Sequence, residues 1–134
     1  MAIDVNGYFA APGAGGQNFY PWNPCRVADT RVAPATIMAA GTSRNFPVQS
    51  TGCDAPSSAT SYVLNATVVP PGLLAYLTLW GRGGVQPTVS TLNALDGQIT
   101  SNLAIVPAGL QGNFAAFVTH DTHLVLDLSG YFSP

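Results

Sequence analysis

The sequence predicts an all-β domain: an antiparallel β-sandwich, jelly-roll or immunoglobulin-like, of about eight to ten short strands. Three observations predict it. Apolar residues recur at every second position along most of the chain. Turn formers punctuate those runs at short intervals. Lys and Glu, which favour helices and are common on cytosolic surfaces, are both absent from the 134 residues.

The strands follow in order. In Ser61–Val69, Tyr62, Leu64, Ala66 and Val68 point one way, while Asn65 and Thr67 point the other. Ala75, Leu77 and Leu79 alternate with Tyr76, Thr78 and Trp80, and Leu103 and Ile105 with Asn102, Ala104 and Val106. Phe114, Ala116 and Val118 form the next run, and Leu124, Leu126 and Leu128 the last. Tyr76, Phe114 and Phe117 are expected mostly in the core. Weaker strands are expected over Arg26–Asp29, Arg44–Val48 and Thr88–Leu92. Turns are expected at Pro70-Pro71-Gly72, Gly81 through Gly84, Asp96-Gly97 and Gly112-Asn113, with Asp96-Gly97 a hairpin between two strands. The stretch Ala11–Pro24, rich in Gly, Pro and Asn, reads as a linker or lead-in loop.

One domain is expected from this length, and it is long enough to bury a hydrophobic core. Hydrophobic residues make up 47% and charged residues only 7%, so the chain must fold and its surface must be carried by uncharged polar side chains. Such a surface suits an extracellular β-module. A net charge of −2 with four scattered Arg offers no footprint for nucleic acid. No apolar run is long enough for membrane insertion. Met1-Ala2 leads straight into Ile3-Asp4-Val5 without the basic start of a signal peptide, and the chain is expected to be cut from a longer secreted precursor.

One internal repeat organises the chain. Ile3-Asp4-Val5-Asn6-Gly7-Tyr8-Phe9 returns 123 positions later as Leu126-Asp127-Leu128-Ser129-Gly130-Tyr131-Phe132. The plain reading is a tandem array. Residues 1–11 are then the closing strand of a preceding repeat, or else an extra edge strand of this domain, and residues 12–134 form a single β-sandwich module. Self-association through Ile3–Phe9 is a further expectation, because a strand apolar on one face seeks a sheet edge.

The series Cys25-Arg26-Val27-Ala28-Asp29-Thr30-Arg31, Leu64-Asn65-Ala66-Thr67-Val68 and Leu77-Thr78-Leu79-Trp80 is followed by Ser90-Thr91-Leu92-Asn93. Asn102-Leu103-Ala104-Ile105-Val106-Pro107 and His123-Leu124 through Gly130-Tyr131-Phe132 complete it. Together these resemble an abundant, poorly characterised domain of large secreted and surface proteins in soil bacteria such as acidobacteria and actinobacteria. The resemblance covers nearly all of residues 24–132. It implies an extracellular location and a modular arrangement, and supplies no catalytic residues.

Four clusters are candidates for function. Cys25 and Cys53 are a disulfide or two buried thiols, and the signs of export favour the disulfide. Asp29, Arg31 and Asp127, with Arg26 nearby, read most simply as structural ion pairs, since Arg can give a carboxylate two parallel hydrogen bonds. Recognition of an acidic or polyhydroxyl ligand by Arg31 is the functional alternative. Trp80, Arg82, Trp22 and Tyr20 are the expected ligand-binding group, because aromatic rings beside polar donors suit a sugar. His120, Asp121 and His123 are weak candidates for a metal site; on a strand the two His would face opposite sides. No metal or other cofactor is expected.

Catalysis has little support: there is no G-x-S-x-G elbow, no Glu, no Lys for a Schiff base and no phosphate-binding loop. The chain is therefore expected to be a non-catalytic extracellular module, a carbohydrate-binding or adhesion unit of a larger secreted or surface protein. Its partner would be a polysaccharide or a cell-surface glycan. The alternative is a structural module building fibres or stalks by strand exchange or tandem stacking. A metal-dependent hydrolase, which needs His120 and His123 on one ion, is the weaker third.

Overall fold

Alternation is realised as eight strands among the described residues. The computed structural model describes residues 1, 3–5, 7–11, 13 and 15–134. Its strands are β1 (Asn18–Asp29), β2 (Thr42–Phe46), β3 (Ser61–Val69), β4 (Leu74–Gly81), β5 (Leu92–Ala94), β6 (Thr100–Pro107), β7 (Phe114–Val118) and β8 (His123–Ser133). Leu110–Gly112 forms one 3₁₀ turn, and there is no α-helix among the described residues.

The strands form two four-stranded antiparallel sheets, ordered β1-β8-β3-β6 and β2-β7-β4-β5. The first strand pairs with the last, the second with the seventh, the third with the sixth and the fourth with the fifth. This is one long hairpin rolled up into two layers, the eight-stranded jelly roll. Six of the seven connections therefore cross from one sheet to the other, and only β4–β5 stays within a sheet.

Inward faces meet as expected over most of the core. Tyr62, Leu64, Ala66 and Val68 of β3 and Leu124, Leu126 and Leu128 of β8 are fully buried. They pack with Leu77, Leu79, Phe114, Ala116 and Val118 of the second sheet. Burial of side chains this size contributes about 1.5–3 kcal/mol each. The one polar atom that Tyr62 carries inside is satisfied: its hydroxyl donates to the Gly112 carbonyl at 2.8 Å.

Four expectations are corrected. On β6 the buried residues are Ala104 and Val106, while Leu103 is 63% exposed. The register decides this, because Ala104 lies opposite Leu64 and Val106 opposite Tyr62, whose inward phase they must share. Ala11–Pro24 is not all loop, since β1 begins at Asn18: Phe19 and Tyr20 pair with Phe132 and Tyr131, and this pairing outweighs the turn formers around them. Pro21 and Pro24 are tolerated because β1 is an edge strand and the ladder shifts register between Pro21 and Cys25. The strand expected at Thr88–Leu92 is displaced to Leu92–Ala94, and the one expected at Arg44–Val48 to Thr42–Phe46.

Asp96-Gly97 is the fourth. It is a turn, with the Gly97 N–H donating to the Ala94 carbonyl at 3.1 Å and Gly97 at φ +72°. The strands it joins lie in different sheets, so it is a crossover and not a hairpin. A Cβ at Gly97 would lie 3.0 Å from the Gly72 backbone, so this turn packs against the one between β3 and β4.

Cys25 on β1 and Cys53 are bridged, with Cα atoms 5.5 Å apart. The bridge fastens the loop between β2 and β3 to the edge of the first sheet. Ile3–Phe9 contains no strand among its described residues, and Ile3, Val5, Tyr8 and Phe9 are exposed. Asn6, within the repeat, and Pro12, at the expected start of the module, lie outside the described residues.

Candidate functional site

Once Leu77 and Leu79 turn inward on β4, and Phe114, Ala116 and Val118 on β7, the residues between them must face outward. On β4 these are Tyr76, Thr78 and Trp80, and on β7 Ala115 and Phe117. Thr78 lies opposite Phe117, and Trp80 opposite Ala115. The rings of Tyr76 and Phe117 meet at a centroid distance of 5.8 Å, tilted by 41°. Tyr76, Trp80 and Phe117 are all half-buried on the solvent side of the second sheet. The expectation that Tyr76 and Phe117 belong to the core is corrected: their phase is opposite to that of the buried set. Alternation with Leu77 and Val118 carries this outward phase, whereas aromatic bulk favours the interior.

The strip has built borders. Exposed Ser43 and Asn45 on β2 lie opposite Phe117 and Ala115 and extend the face with polar groups. On the other side the segment after β4 folds back along it. The Thr78 hydroxyl donates to the Val89 carbonyl at 2.9 Å, and the Leu79 N–H to the Thr91 hydroxyl at 3.0 Å. The Trp80 indole N–H donates to the Gly84 carbonyl at 3.1 Å, which fixes the ring's orientation.

Arg82 stands at the Trp80 end. Its guanidinium donates to Gln111 Oε1 at 2.7 Å, and its backbone N–H to the Asn113 carbonyl at 3.1 Å. A Cβ at Gly109 would fall 2.1 Å from the Arg82 nitrogen, so glycine is required for the two loops to meet. Leu110 and Val85 are exposed beside them. The outer face of the second sheet thus carries three half-buried rings, with Thr78 and Ala115 buried between Trp80 and the Tyr76–Phe117 pair, and ends in a positioned guanidinium and a primary amide.

The structure divides the expected binding group. Trp80 lies on β4 of the second sheet and Arg82 in the turn directly after it, whereas Trp22 and Tyr20 lie on β1 in the first. Tyr20 stacks on Tyr131 at 5.2 Å, and Trp22 meets the same ring edge-on at 5.4 Å. The Trp22 indole N–H donates to the Cys53 carbonyl at 2.8 Å. Trp22 and Tyr20 therefore close one end of the first sheet, where an open depression of about 490 Å³ runs from Pro21 to Cys25 and over Gly52–Asp54.

The charged cluster is a chain of four. Arg31 donates to both Asp29 oxygens, at 2.8 and 2.7 Å, and its backbone N–H donates to Oδ1 at 3.1 Å. Arg26 bridges Asp29 and Asp127, linking β1 to β8. The register shift between Arg26 and Ala28 brings Asp29 onto the side of Arg26, which simple alternation would not predict. Hydrogen bonding by Arg31 holds the Asp29 carboxyl well below the usual carboxylate range. Nε and Nη2 of Arg31 are both directed at Asp29, which is the geometry of a pinning residue.

The polar tip between β7 and β8 distributes its groups among separate partners. His123 Nδ1 lies 2.9 Å from the Thr30 carbonyl, His120 Nδ1 accepts from the Ala75 N–H at 3.4 Å, and Asp121 Oδ1 accepts from the Ala40 N–H at 2.7 Å. Among the described residues no three His, Cys, Asp or Glu side chains gather as a metal site. No helix among them is long and apolar enough to cross a membrane. No family model, no curated protein and no solved structure matches this chain.

Proposed function

We propose that this chain is a non-catalytic extracellular binding module, carried on a larger exported protein, that takes a polysaccharide along the outer face of its second sheet. One observation carries the reading: Trp80, Tyr76 and Phe117 are aligned on the solvent side of a sheet whose polar borders are Ser43, Asn45, Arg82 and Gln111. Rings left half open forfeit part of the roughly 1.5–3 kcal/mol that full burial of each would contribute, and a ligand that covers them recovers it. A sugar suits the strip, because its C–H face meets the rings while its hydroxyls reach the amide and guanidinium. The disulfide supports an oxidising compartment.

The test is retention on insoluble cellulose, chitin and xylan. Trp80→Ala and Tyr76→Ala are each expected to reduce retention at least about tenfold, the effect of losing about 1.4 kcal/mol of binding. The circular dichroism of the β fold should be unchanged. Equal retention by both variants and the parent protein would refute the reading. Trp22→Phe serves as the counterpart and should leave retention intact.

A further inference from the structure

Every position of Leu126–Phe132 has a definite role in β8, and Ile3–Phe9 carries a residue fit for each. Leu126 and Leu128 are fully buried in the core, and their counterparts are Ile3 and Val5. Asp127 accepts from Arg26 of β1, and its counterpart is Asp4. Ser129 occupies the register shift opposite Val63–Leu64, and another small polar residue, Asn6, stands at its counterpart. Gly130 lies beneath the Phe19 ring, where a Cβ would be 2.4 Å from the ring edge; its counterpart is Gly7. Tyr131 stacks on Tyr20, and Phe132 meets Phe19 with centroids 5.4 Å apart; Tyr8 and Phe9 match them.

Among the described residues of Ile3–Phe9 none of those roles is used. Val5 is 84% exposed and Tyr8 89%, against 0% for Leu128 and 9% for Tyr131. Nothing lies within 4 Å of the place where a Gly7 Cβ would be. The position that would use them is already filled, with β8 paired to β1 on one side and β3 on the other. Adding a strand to any exposed edge would need only apolar alternation. It would need neither a glycine under an aromatic ring nor a carboxylate facing an arginine.

We propose that Ile3–Phe9 is the eighth strand of a second module of this fold, filling between that module's β1 and β3 the place that Leu126–Phe132 fills here. The partner is a second copy of the jelly roll, and this inference does not depend on the polysaccharide reading. Ala10–Gln17, at most about 28 Å when extended, then joins the two modules. β1 starts where β8 ends, with Asn18 opposite Ser133, so neighbours are joined at their aromatic ends. The Phe9 ring, 6.1 Å from that of Phe132, lies at that junction.

The test is a chain in which residues 18–125 are placed directly before Ile3 and followed by the rest of the protein. Val125 then precedes Ile3 as it normally precedes Leu126, and the upstream copy has no other eighth strand. Both Cys25–Cys53 bridges are expected to form, the heat of unfolding to double, and the amides of Ile3–Phe9 to become protected from exchange. Gly7→Val in this chain is expected to abolish the upstream transition, because Phe19 of that copy has no room for the side chain. The same substitution in the 134-residue protein should leave its melting temperature unchanged. The proposal is overturned if the upstream copy stays open to exchange while a chain carrying Leu126–Phe132 in those seven positions folds it. It is equally overturned if the upstream copy folds and tolerates Gly7→Val, since the segment would then be adding at an edge.

Discussion

Leu126–Phe132 and Ile3–Phe9 are nearly the same peptide with opposite fates. The first lies between two strands, its leucines in the core and its aspartate on an arginine; the described residues of the second pair with no strand, and its apolar side chains are exposed. Composition and alternation cannot account for the difference, because both copies share them. What differs is whether two unpaired strands and an empty core face are waiting for the segment. A strand's stability therefore lies in its neighbours, and its sequence specifies which neighbours would suit it.

Matched substitutions in the two segments test this contrast. The largest difference is expected for Leu128→Ala against Val5→Ala. Leu128 is fully buried, so its truncation should cost about 3 kcal/mol, or about 10 °C in melting temperature, while Val5→Ala should change nothing measurable by calorimetry. An equal effect at the two sites would mean that Ile3–Phe9 is buried in solution. Gly130→Val should cost about 1–3 kcal/mol through overpacking against Phe19 and the Tyr20 carbonyl, and Gly7→Val nothing, as read by urea unfolding.

The smallest effect is electrostatic. Arg26 and Arg31 are each about half exposed, so Asp127→Asn should cost only about 1 kcal/mol, and Asp4→Asn nothing. A pH series sharpens the point through Asp29, which shares Arg26 with Asp127. Its carboxyl is depressed in the fold, so its contribution is fully present above the ordinary unfolded value of about 3.9 and is lost as pH falls toward the lower folded value. Asp29→Asn should therefore flatten the acid limb of stability below about pH 4. An unchanged limb would mean that the Arg31 clamp does not persist in solution.

Much of the fold was legible because alternation is a local property. The buried sets of β3, β7 and β8 can be read from Tyr62 to Val68, Phe114 to Val118 and Leu124 to Leu128 without knowing what they pack against. Where the pattern is apolar on both faces, as at Leu103 through Val106, only the partner strand chooses the phase. The candidate site was half legible. Ring chemistry beside polar donors singles out Trp80 and Arg82, but equally Trp22 and Tyr20, which sit on the other sheet. Aromatic bulk predicts a core position for Tyr76 and Phe117, although their phase is opposite to that of the leucines.

By itself, the sequence determined the number and periodicity of most strands, the places where the chain must turn, and the existence of a repeated seven-residue segment. These follow from side-chain pattern and backbone preference within a few residues. Tertiary structure alone decided that six of seven turns cross between sheets and that three aromatic rings share one outer face. The physical reason is that a turn such as Asp96-Gly97 specifies only that the chain reverses. Which strand then pairs with which depends on burying both sheets at once, a choice made by the whole set of apolar faces and by no single segment.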